Sequence, residues 1–338
     1  MADGRYPIDH RTERDNRPHS PDSPTRHRNR ESPEDRREPS NDPGPLGRNE
    51  IQPYLLLKQL SDDTEITNYY TQIRELGQGS YGKIYEVQQR ENPRIRLALK
   101  VQPKALANPT QGGDVQGRLD RHLKRMYHEI IILNRILPPH KHILQIKDIL
   151  IGPNTINLVT ELCSTQTLKD FFPGATNATA ARIFKQLATT VHFIHQHGVV
   201  HNDLKSVNVL FASAGMRDIK IIDFGISAYY ETMATRTYHN FNPRSWFAEE
   251  ELRQAGDGYA SPFGDVEQLG NLLHCMLSGR DIDPTDWTDP EPDPEPRTDI
   301  FDDNALHLFG LIGPYEHRAD PSARLPELEQ ILQHPWLR

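Results

Sequence analysis

Short alternating runs of apolar and polar residues occupy residues 69–104. Alternation with a period of two places every second side chain on the same face, which predicts β-strands. Asn92 and Pro93 interrupt the runs and predict a turn between two strands. Residues 119–137 then space their apolar side chains by three and four positions. That spacing predicts an amphipathic helix that ends before Pro138.

The pattern changes from strands to helices near the middle of the chain. Two more strands are predicted near residues 143–151 and 156–161, and from residue 179 onward the apolar spacing is mostly helical. The order of elements therefore predicts two lobes. The smaller lobe, residues 68–161, would be rich in strands, and the larger lobe, residues 162–338, would be mainly helical.

Residues 1–50 show neither the alternation typical of strands nor the spacing of three and four positions typical of helices. They contain eight prolines, ten arginines, eleven acidic residues and no lysine, with almost no aliphatic side chains. Such a segment cannot bury enough apolar surface to offset its ordering entropy, so we predict a disordered tail. Its Ser-Pro pairs fit acceptors for proline-directed kinases, although Pro-rich tails contain such pairs by chance. The basic cluster at residues 26–30 fits either a nuclear signal or, because acids are interleaved nearby, a plain polyampholyte.

Two short segments differ from their surroundings. Residues 51–60 have the pattern of a short amphipathic helix, and the polar cluster at residues 61–63 is typical of a helix cap. We therefore predict that residues 51–67 form a helical extension before the small lobe. Residues 281–296 are acidic and rich in proline, which predicts an irregular surface loop in the large lobe.

Composition argues against several classes of protein. The 338 residues carry a formal net charge of −8, so no overall basic field favours nucleic acid. The sequence has two cysteines, Cys163 and Cys275, in no metal-binding spacing, which favours a reducing compartment, cytoplasmic or nuclear. No apolar stretch approaches the roughly 18 to 20 residues of a membrane span, and the N-terminus lacks the apolar core of a signal peptide.

Residues 77–82 carry the pattern Gly-x-Gly-x-x-Gly, which by itself fits more than one kind of site. Dinucleotide-binding proteins share it, but there the glycines open a helix, whereas here strand-like residues follow at once. The segment therefore predicts a hairpin whose backbone N–H groups approach phosphates without interference from Cβ atoms. A plain glycine-rich turn is the alternative.

A lysine and a glutamate extend this pattern. Lys100 ends the apolar strand of residues 97–99 and needs an anionic partner, for which phosphate oxygens or a helix carboxylate would serve. Glu129 on the next predicted helix offers such a carboxylate, one turn from Leu133 on the same face. The alternative is a solvent-exposed lysine at the end of a strand.

Two further motifs decide between these alternatives. The sequence HNDLKSVN occupies residues 201–208, and Asp-Phe-Gly follows at residues 223–225. With the glycine pattern and the strand lysine in the same order, the chain resembles the eukaryotic protein kinases of the serine/threonine type over about residues 68–338. The resemblance implies a bilobal α+β fold. It also implies transfer of the γ-phosphate of ATP to serine and threonine hydroxyls of proteins.

The resemblance also implies roles for individual residues. Asp203 would accept the proton of the substrate hydroxyl as the catalytic aspartate, and Lys205 would steady the γ-phosphate, a feature of serine/threonine kinases. Asn208 and Asp223 would bind Mg²⁺ through hard oxygen donors. Asp265, on a predicted helix of the large lobe, would hold in place the segment of residues 201–208, which is called the catalytic loop.

The ATP site follows from the same resemblance. Lys100, paired with Glu129, would bind the α- and β-phosphates, Thr160 would line the back of the adenine pocket, and the backbone after it would bond the purine edge. The residues implied to contact ATP or its metal are Leu76, Gly77, Gln78, Gly79, Ser80, Tyr81, Gly82, Ile84, Ala98, Lys100, Glu129, Thr160, Glu161, Cys163, Asn208 and Asp223.

Some positions depart from the family pattern or complete it. Asn202 replaces the usual arginine that reads an activation-loop phosphate, which predicts that such phosphorylation is not the main switch. Residues 242–243 are Asn-Pro where Gly-Thr is usual, and Ser245 is a candidate to replace that threonine in the substrate-docking loop. Glu250 and Arg324 are expected to form the buried ion pair of the large lobe.

Within the family, residues 62–87 and 97–100 resemble the SH3-binding-domain kinases, and a divergent or viral relative also fits Asn202. That resemblance implies SH3-type partners for the tail at residues 1–50, besides proline-directed kinases. ATP and protein substrates are the other expected partners, and neither nucleic acid nor a membrane is expected.

Alternatives from other classes stay open at this point. A pseudokinase would bind partners without phosphate transfer, but it would usually have lost Lys100, Asp203 or Asp223, which are all present. An adaptor would act through its Pro-rich tail, with the kinase domain as regulator. The four histidines between residues 192 and 201 also fit a zinc site, although packing within the family pattern explains them better.

Overall fold

The sequence folds into a small lobe built on one six-stranded sheet and, after residue 161, a lobe built mainly of helices. This computed structural model describes residues 54–79, 82–106, 114–229, 262–282 and 294–338. The α+β arrangement predicted from the sequence is confirmed. The predictions for the tail, for residues 242–250 and for most of the acidic loop lie outside the described residues.

The sheet of the small lobe has the strand order β1-β5-β6-β4-β3-β2. Its strands are β1 (Lys58–Gln59), β2 (Tyr70–Gly79), β3 (Gly82–Gln89), β4 (Arg96–Pro103), β5 (Ile146–Ile151) and β6 (Thr155–Glu161). Neighbours pair antiparallel, except that β1 runs parallel to β5. The glycine pattern ends β2 and begins β3, with Gly79 opposite Gly82. The hairpin predicted from the strand-like residues after the glycines is therefore present.

The helical extension predicted for residues 51–67 is wrong in its first half. Residues 54–60 are extended and contribute β1 to the open edge of the sheet. An isolated helix of that length is marginal in water, and an unpaired sheet edge offers backbone partners instead. The second half is helical, because Asp62 accepts a hydrogen bond from Thr64 N at the start of the 3₁₀ helix Asp63–Asn68.

The helices follow the apolar spacing of the sequence. Helix α1 (Val115–Ile131) begins where Asp114 accepts a hydrogen bond from Gly117 N and continues into a π-helical turn, Ile132–Ile136. The large lobe contains α2 (Leu168–Phe171), α3 (Asn177–Gln196), α4 (Pro262–Ser278), α5 (Asp303–Ile312) and α6 (Leu328–Leu332). Short 3₁₀ helices span Phe172–Gly174, Ser206–Asn208, Tyr315–His317 and Pro335–Leu337.

Four short strands of the large lobe flank the motifs at residues 201–208 and 223–225. They are β7 (Val199–Val200), β8 (Val209–Phe211), β9 (Ile219–Ile221) and β10 (Ala228–Tyr229). Strands β8 and β9 pair antiparallel, as do β7 and β10. Helices α3 and α4 pack beneath them around buried side chains such as Phe184, Leu187 and Leu273. Among the helices of the described residues, none combines the length and apolarity that a membrane span requires.

Candidate active site

Both lobes line a cleft of about 410 Å³. Most of the residues predicted to contact ATP lie in its wall: Leu76, Gly77, Gln78, Gly79, Ile84, Ala98, Lys100, Glu129, Thr160, Glu161, Cys163, Asn208 and Asp223. The structure thus brings together side chains that are up to about 150 positions apart in the sequence.

Two glycines of the hairpin differ in their surroundings. At Gly77 an ideal Cβ atom would meet no protein atom within 4 Å, so the missing side chain leaves open room at the cleft. Gly82 does not line the cleft, because its backbone lies against the carbonyl of Val101 on β4, where a Cβ atom would collide. The predicted contacts of Ser80 and Tyr81 lie outside the described residues.

An ion pair joins the sheet to helix α1. Lys100 Nζ lies 2.7 Å from Glu129 Oε2, and the side chains are 16% and 5% exposed. Burial raises the pKa of Glu129, the ammonium of Lys100 opposes that rise, and the carboxylate of Asp223 adds to it. The solvent-exposed lysine considered from the sequence is therefore excluded, and a positive charge stands at the cleft.

The catalytic loop holds one carboxylate by two donors. Lys205 Nζ lies 3.0 Å from Asp203 Oδ1, and Asn208 Nδ2 donates to Asp203 Oδ2 at 2.8 Å. The amide of Asn208 also donates to the main-chain oxygen of Asp203 at 2.8 Å. Asp203 and Lys205 do not line the cleft itself but border Asn208, which does. The predicted catalytic residues thus form one hydrogen-bonded group at the edge of the cleft.

Two residues beside the cleft adopt a left-handed backbone. The φ angle is 62° at Asp223 and 66° at Asn202. Asn and Asp tolerate this region better than other residues with a side chain, because their short polar groups bond locally. Asp223 Oδ1 accepts a hydrogen bond from Gly225 N at 3.4 Å, and its side chain lines the cleft. The strained backbone aims this carboxylate at the cleft.

Asp265 on α4 braces the catalytic loop, as the resemblance implied. Its fully buried carboxylate accepts hydrogen bonds from the backbone N–H groups of His201 and Asn202, each at 2.8 Å, and lies 2.8 Å from His195 Nε2. Gln268, three positions later, accepts from Leu204 N at 2.7 Å. This glutamine was not predicted from the sequence, although its position one helical turn after Asp265 places it on the same face of the helix.

The apolar wall of the cleft was mostly missed as well. In β8, Val209 and Phe211 are buried in the core, so the alternation of a strand turns Leu210 the other way, toward the cleft. Ile222 lines the cleft directly before Asp223. The other unpredicted lining residues are Leu133, Leu144, Ile146, Leu158, Leu162, Ser164, Thr165, Thr167 and Val207.

The end of β6 and the residues directly after it form one rim of the cleft. Glu161 turns its side chain to Lys220 Nζ at 2.7 Å and accepts from Gln145 N at 2.9 Å. Burial raises the pKa of the Cys163 thiol to about 11, so the thiol stays protonated and apolar near neutral pH. This rim therefore presents backbone and neutral groups to the cleft.

The buried ion pair expected in the large lobe is not confirmed at Arg324. The side chain of Arg324 is 73% exposed, stacks over the ring of Phe263 and pairs with Glu327, so it is not the buried partner expected for Glu250. The carboxylate of Glu327 lies one turn away in the sequence and offers an exposed partner without desolvation. Glu250 itself lies outside the described residues.

The zinc alternative finds no support among the described residues, where no three metal-ligating side chains form a group that could hold an ion. His195 bonds Asp265, and His201 bonds the main-chain oxygen of Ile222. His197 bonds the main-chain oxygen of Phe193. Packing and hydrogen bonding within the large lobe therefore explain these histidines.

We expect His128 to make the stability of the small lobe depend on pH. The imidazole of His128, on α1, is buried, and this burial lowers its pKa from 6.5 to about 4. As the pH falls from about 6.5 to about 4, the unfolded chain takes up a proton that the folded chain does not, so stability is lost, by about 3 kcal/mol at most. Urea unfolding at pH 7.5 and 5 should show a smaller difference for His128→Gln than for the wild type. His122→Gln, at a half-buried position of the same helix, is the control, and equal pH dependence in all three proteins would contradict the expectation.

Comparison with known proteins agrees with this geometry. The family model described as "Protein kinase domain" matches residues 70–304. Calcium-dependent protein kinase 20 of Oryza sativa subsp. japonica is 30% identical over 284 residues, which cover 78% of this chain and 46% of that protein. The probable serine/threonine-protein kinase KIN1 homolog of Encephalitozoon cuniculi is 31% identical over 216 residues, 62% of this chain and 36% of the relative.

A third relative, NUAK family SNF1-like kinase 2 of Rattus norvegicus, is 30% identical over 213 residues, 62% of this chain and 31% of that protein. The chain thus spans less than half the length of each of these three relatives. The family model nevertheless covers well over half of this chain. With the cleft, the Lys100–Glu129 pair and the catalytic loop in one site, the chain belongs to the protein kinase domain family.

Proposed function

We propose that this protein is an active kinase that transfers the γ-phosphate of ATP to serine and threonine hydroxyls of other proteins. The observation that carries the proposal is the carboxylate of Asp203, which has Lys205 at 3.0 Å and Asn208 at 2.8 Å, at the edge of a cleft lined by Asp223 and Lys100. Phosphoryl transfer needs positioning and charge stabilisation more than covalent help from the protein, and this grouping supplies both.

Each residue has a chemical task in this proposal. The carboxylate of Asp203 orients the substrate hydroxyl and accepts its proton as the oxygen attacks phosphorus. Lys205 has its ammonium 3.0 Å from that carboxylate, so it can contact the transferring phosphate from the same side. Lys100 binds the phosphates that stay behind, with Glu129 fixing its direction.

The residues present also fit ATP and Mg²⁺. The apolar side chains of Leu76, Leu158 and Leu210 suit a planar purine, and the open room at Gly77 suits phosphates that approach the backbone. The oxygen donors of Asn208 and Asp223 are the kind that Mg²⁺ prefers. These two residues would hold the metal, which would supply positive charge against the negative charge that develops during transfer.

Specificity for serine and threonine is supported by Lys205, which follows the family pattern of kinases of that type, and by relatives named as serine/threonine kinases. Matched peptides that differ only in a central Ser, Thr, Tyr or Ala test it, with Mg-ATP labelled at the γ-phosphate. The proposal expects label in the Ser and Thr peptides and at most a trace in the Tyr peptide. Labelling of the Tyr peptide at a comparable rate would contradict it.

We expect phosphatase treatment to leave most of the activity. Asn202 has no guanidinium for a phosphate on Thr232, Thr235 or Thr237, and its amide lies 3.4 Å from the main-chain oxygen of Ile226. Those threonines lie outside the described residues. Phosphotransfer measured before and after treatment should differ by less than about twofold, whereas a large loss that rephosphorylation of one threonine reverses would overturn the inference.

We also expect weak selection for arginine upstream of the acceptor. Kinases of this family that prefer arginine usually place acids at the positions that Val207 and Thr167 occupy here. The carboxylate of Asp170, three positions after Thr167, is already occupied by a hydrogen bond from Thr167 N at 2.8 Å. A solvent-screened attraction is worth about 0 to 1 kcal/mol, less than the roughly 1.4 kcal/mol of a tenfold preference. A peptide library screen with strong arginine enrichment two or three residues before the acceptor would show this to be wrong.

The remaining proposals concern the whole protein rather than the site. Two widely separated cysteines support a cytoplasmic location, and the basic cluster at residues 26–30 supports the nucleus as the alternative. We propose SH3-type domains and proline-directed kinases as partners of the Pro-rich tail. Imaging of the full chain beside a chain that lacks residues 1–50 tests the location. Binding of SH3 domains to the same pair of chains tests the partners.

A further inference from the structure

The segment of residues 54–60, which we call the strap, lies along one edge of the sheet of the small lobe. Its strand β1 runs parallel to the neighbouring strand β5, and Leu60 N donates to Ile151 O at 2.9 Å. The side chains of Leu55 and Leu57 turn inward and pack on an apolar cluster shared by α1 and the sheet. The buried members of this cluster are Met126, Ile130, Ile149, Ile151, Ile156 and Leu158.

The strap also bonds the end of helix α1. Asn134 accepts from Leu55 N and donates to Leu55 O, both at 3.0 Å, so its amide pairs with the strap as a neighbouring strand would. The guanidinium of Arg135 lies 3.2 Å from the centre of the Tyr54 ring. Both residues belong to the π-helical turn that ends α1, and such turns occur often at functional sites.

The same turn borders the ATP cleft on its other side. Leu133, next to Asn134, lines the cleft. Glu129 lies five positions before Asn134, about 7 Å along the helix, and makes the buried pair with Lys100. The helix is therefore held from two sides, by Lys100 at the cleft and by the strap behind it.

We propose that the strap is a positioning element for the active site: it holds helix α1 so that Glu129 stays within reach of Lys100. The bonds to Asn134 and the packing of Leu55 and Leu57 need both the strap and α1 in place, so they favour that arrangement over one in which the helix has moved away. Contacts that differ between two arrangements are what shift their populations. The inference rests on the proposed kinase function, because Lys100 is assigned there to the phosphates.

The strap offers a matched set of substitutions in the full chain. Leu55→Ser combined with Leu57→Ser removes the inward side chains, whereas Leu56→Ser changes the residue between them, which is 74% exposed. Asn134→Ala is a milder variant that removes the two bonds to the strap and keeps the apolar packing. Thermal unfolding identifies any variant that no longer folds, and activity is compared among the folded ones.

We expect the double variant to lose about tenfold in kcat/KM for ATP and Asn134→Ala to lose about fivefold, within the usual range of coupling between sites. Leu56→Ser should match the wild type. A peptide of residues 54–62 with the native sequence should restore activity to the double variant in a concentration-dependent way. The same peptide with serine at positions 55 and 57 should not. A purely structural strap would lower the melting temperature without this rescue.

Nucleotide affinity separates this inference from the proposed function. Calorimetry with ADP and Mg²⁺ should show weaker binding to the double variant than to Leu56→Ser, whether or not the wild type transfers phosphate. Wild-type transfer with equal kinetics and equal ADP affinity in all variants would overturn the strap inference and leave the kinase proposal intact. Absence of transfer by the wild type, with weaker ADP binding in the double variant, would overturn the kinase proposal and keep the strap.

Discussion

Asp203→Asn should lower phosphotransfer by about 10² to 10⁴, the usual contribution of a positioned general base. The amide has the shape of the carboxylate, and its one oxygen can accept from either Lys205 or Asn208, whose donors lie 3.0 and 2.8 Å from the carboxylate of Asp203. The bond from Asn208 to the main-chain oxygen of Asp203 does not depend on the side chain, so the loop should keep its conformation. What is lost is the negative charge that orients and deprotonates the hydroxyl. Initial rates with a saturating peptide and Mg-ATP measure the effect.

The matched control is Asp218→Asn, which removes an exposed carboxylate from the same lobe. It should retain wild-type activity, and circular dichroism should show the same fold for both variants. If Asp203→Asn kept more than a tenth of the wild-type rate, the role given to Asp203 would be wrong.

Asp223→Asn should reduce phosphotransfer by at least about a hundredfold. Several kcal/mol of charge stabilisation depend on the metal, and 1.36 kcal/mol corresponds to a factor of ten. Asparagine tolerates the left-handed backbone at this position, where φ is 62°, so the substitution changes the charge of the ligand and not the path of the chain. The measurement is ATP affinity and transfer rate over a range of Mg²⁺ concentrations.

The wild type should bind ATP more tightly as Mg²⁺ rises, and the variant should show much less of this dependence. Glu161→Gln is a useful comparison, because Glu161 also lies in the wall of the cleft, but its carboxylate is paired with Lys220 and is not expected to bind the metal. Equal Mg²⁺ dependence in the wild type and Asp223→Asn would remove Asp223 from the metal site.

The sequence predicted the parts of the site that rest on local patterns. Lys100 follows from an alternating strand and Glu129 from a helical period, and both side chains lie where those periods put them. The catalytic loop was found because its polar residues stand close together in the chain. Such patterns can be recognised in the sequence because each depends on only a few neighbouring residues.

Other parts depended on distant packing and were missed or wrong. The extended course of residues 54–60 is set by the open edge of β5 and by Asn134, about 80 positions later, which no local pattern reveals. Gln268 reaches the catalytic loop across about 64 positions. The burial expected for Arg324 is wrong, because its side chain is exposed beside Glu327, one turn away. Contacts between residues that are far apart in the sequence therefore determine structural features that periodicity alone cannot predict.

The central claim is that this chain transfers phosphate rather than only binding nucleotide. The most direct measurement incubates the purified wild type and Asp203→Asn with Mg-ATP labelled at the γ-phosphate and a degenerate Ser/Thr peptide library. The account predicts label in peptides with the wild type and a loss of about 10² to 10⁴ with the variant. Nucleotide binding by the wild type without any label above that of the variant would contradict the account and identify a pseudokinase.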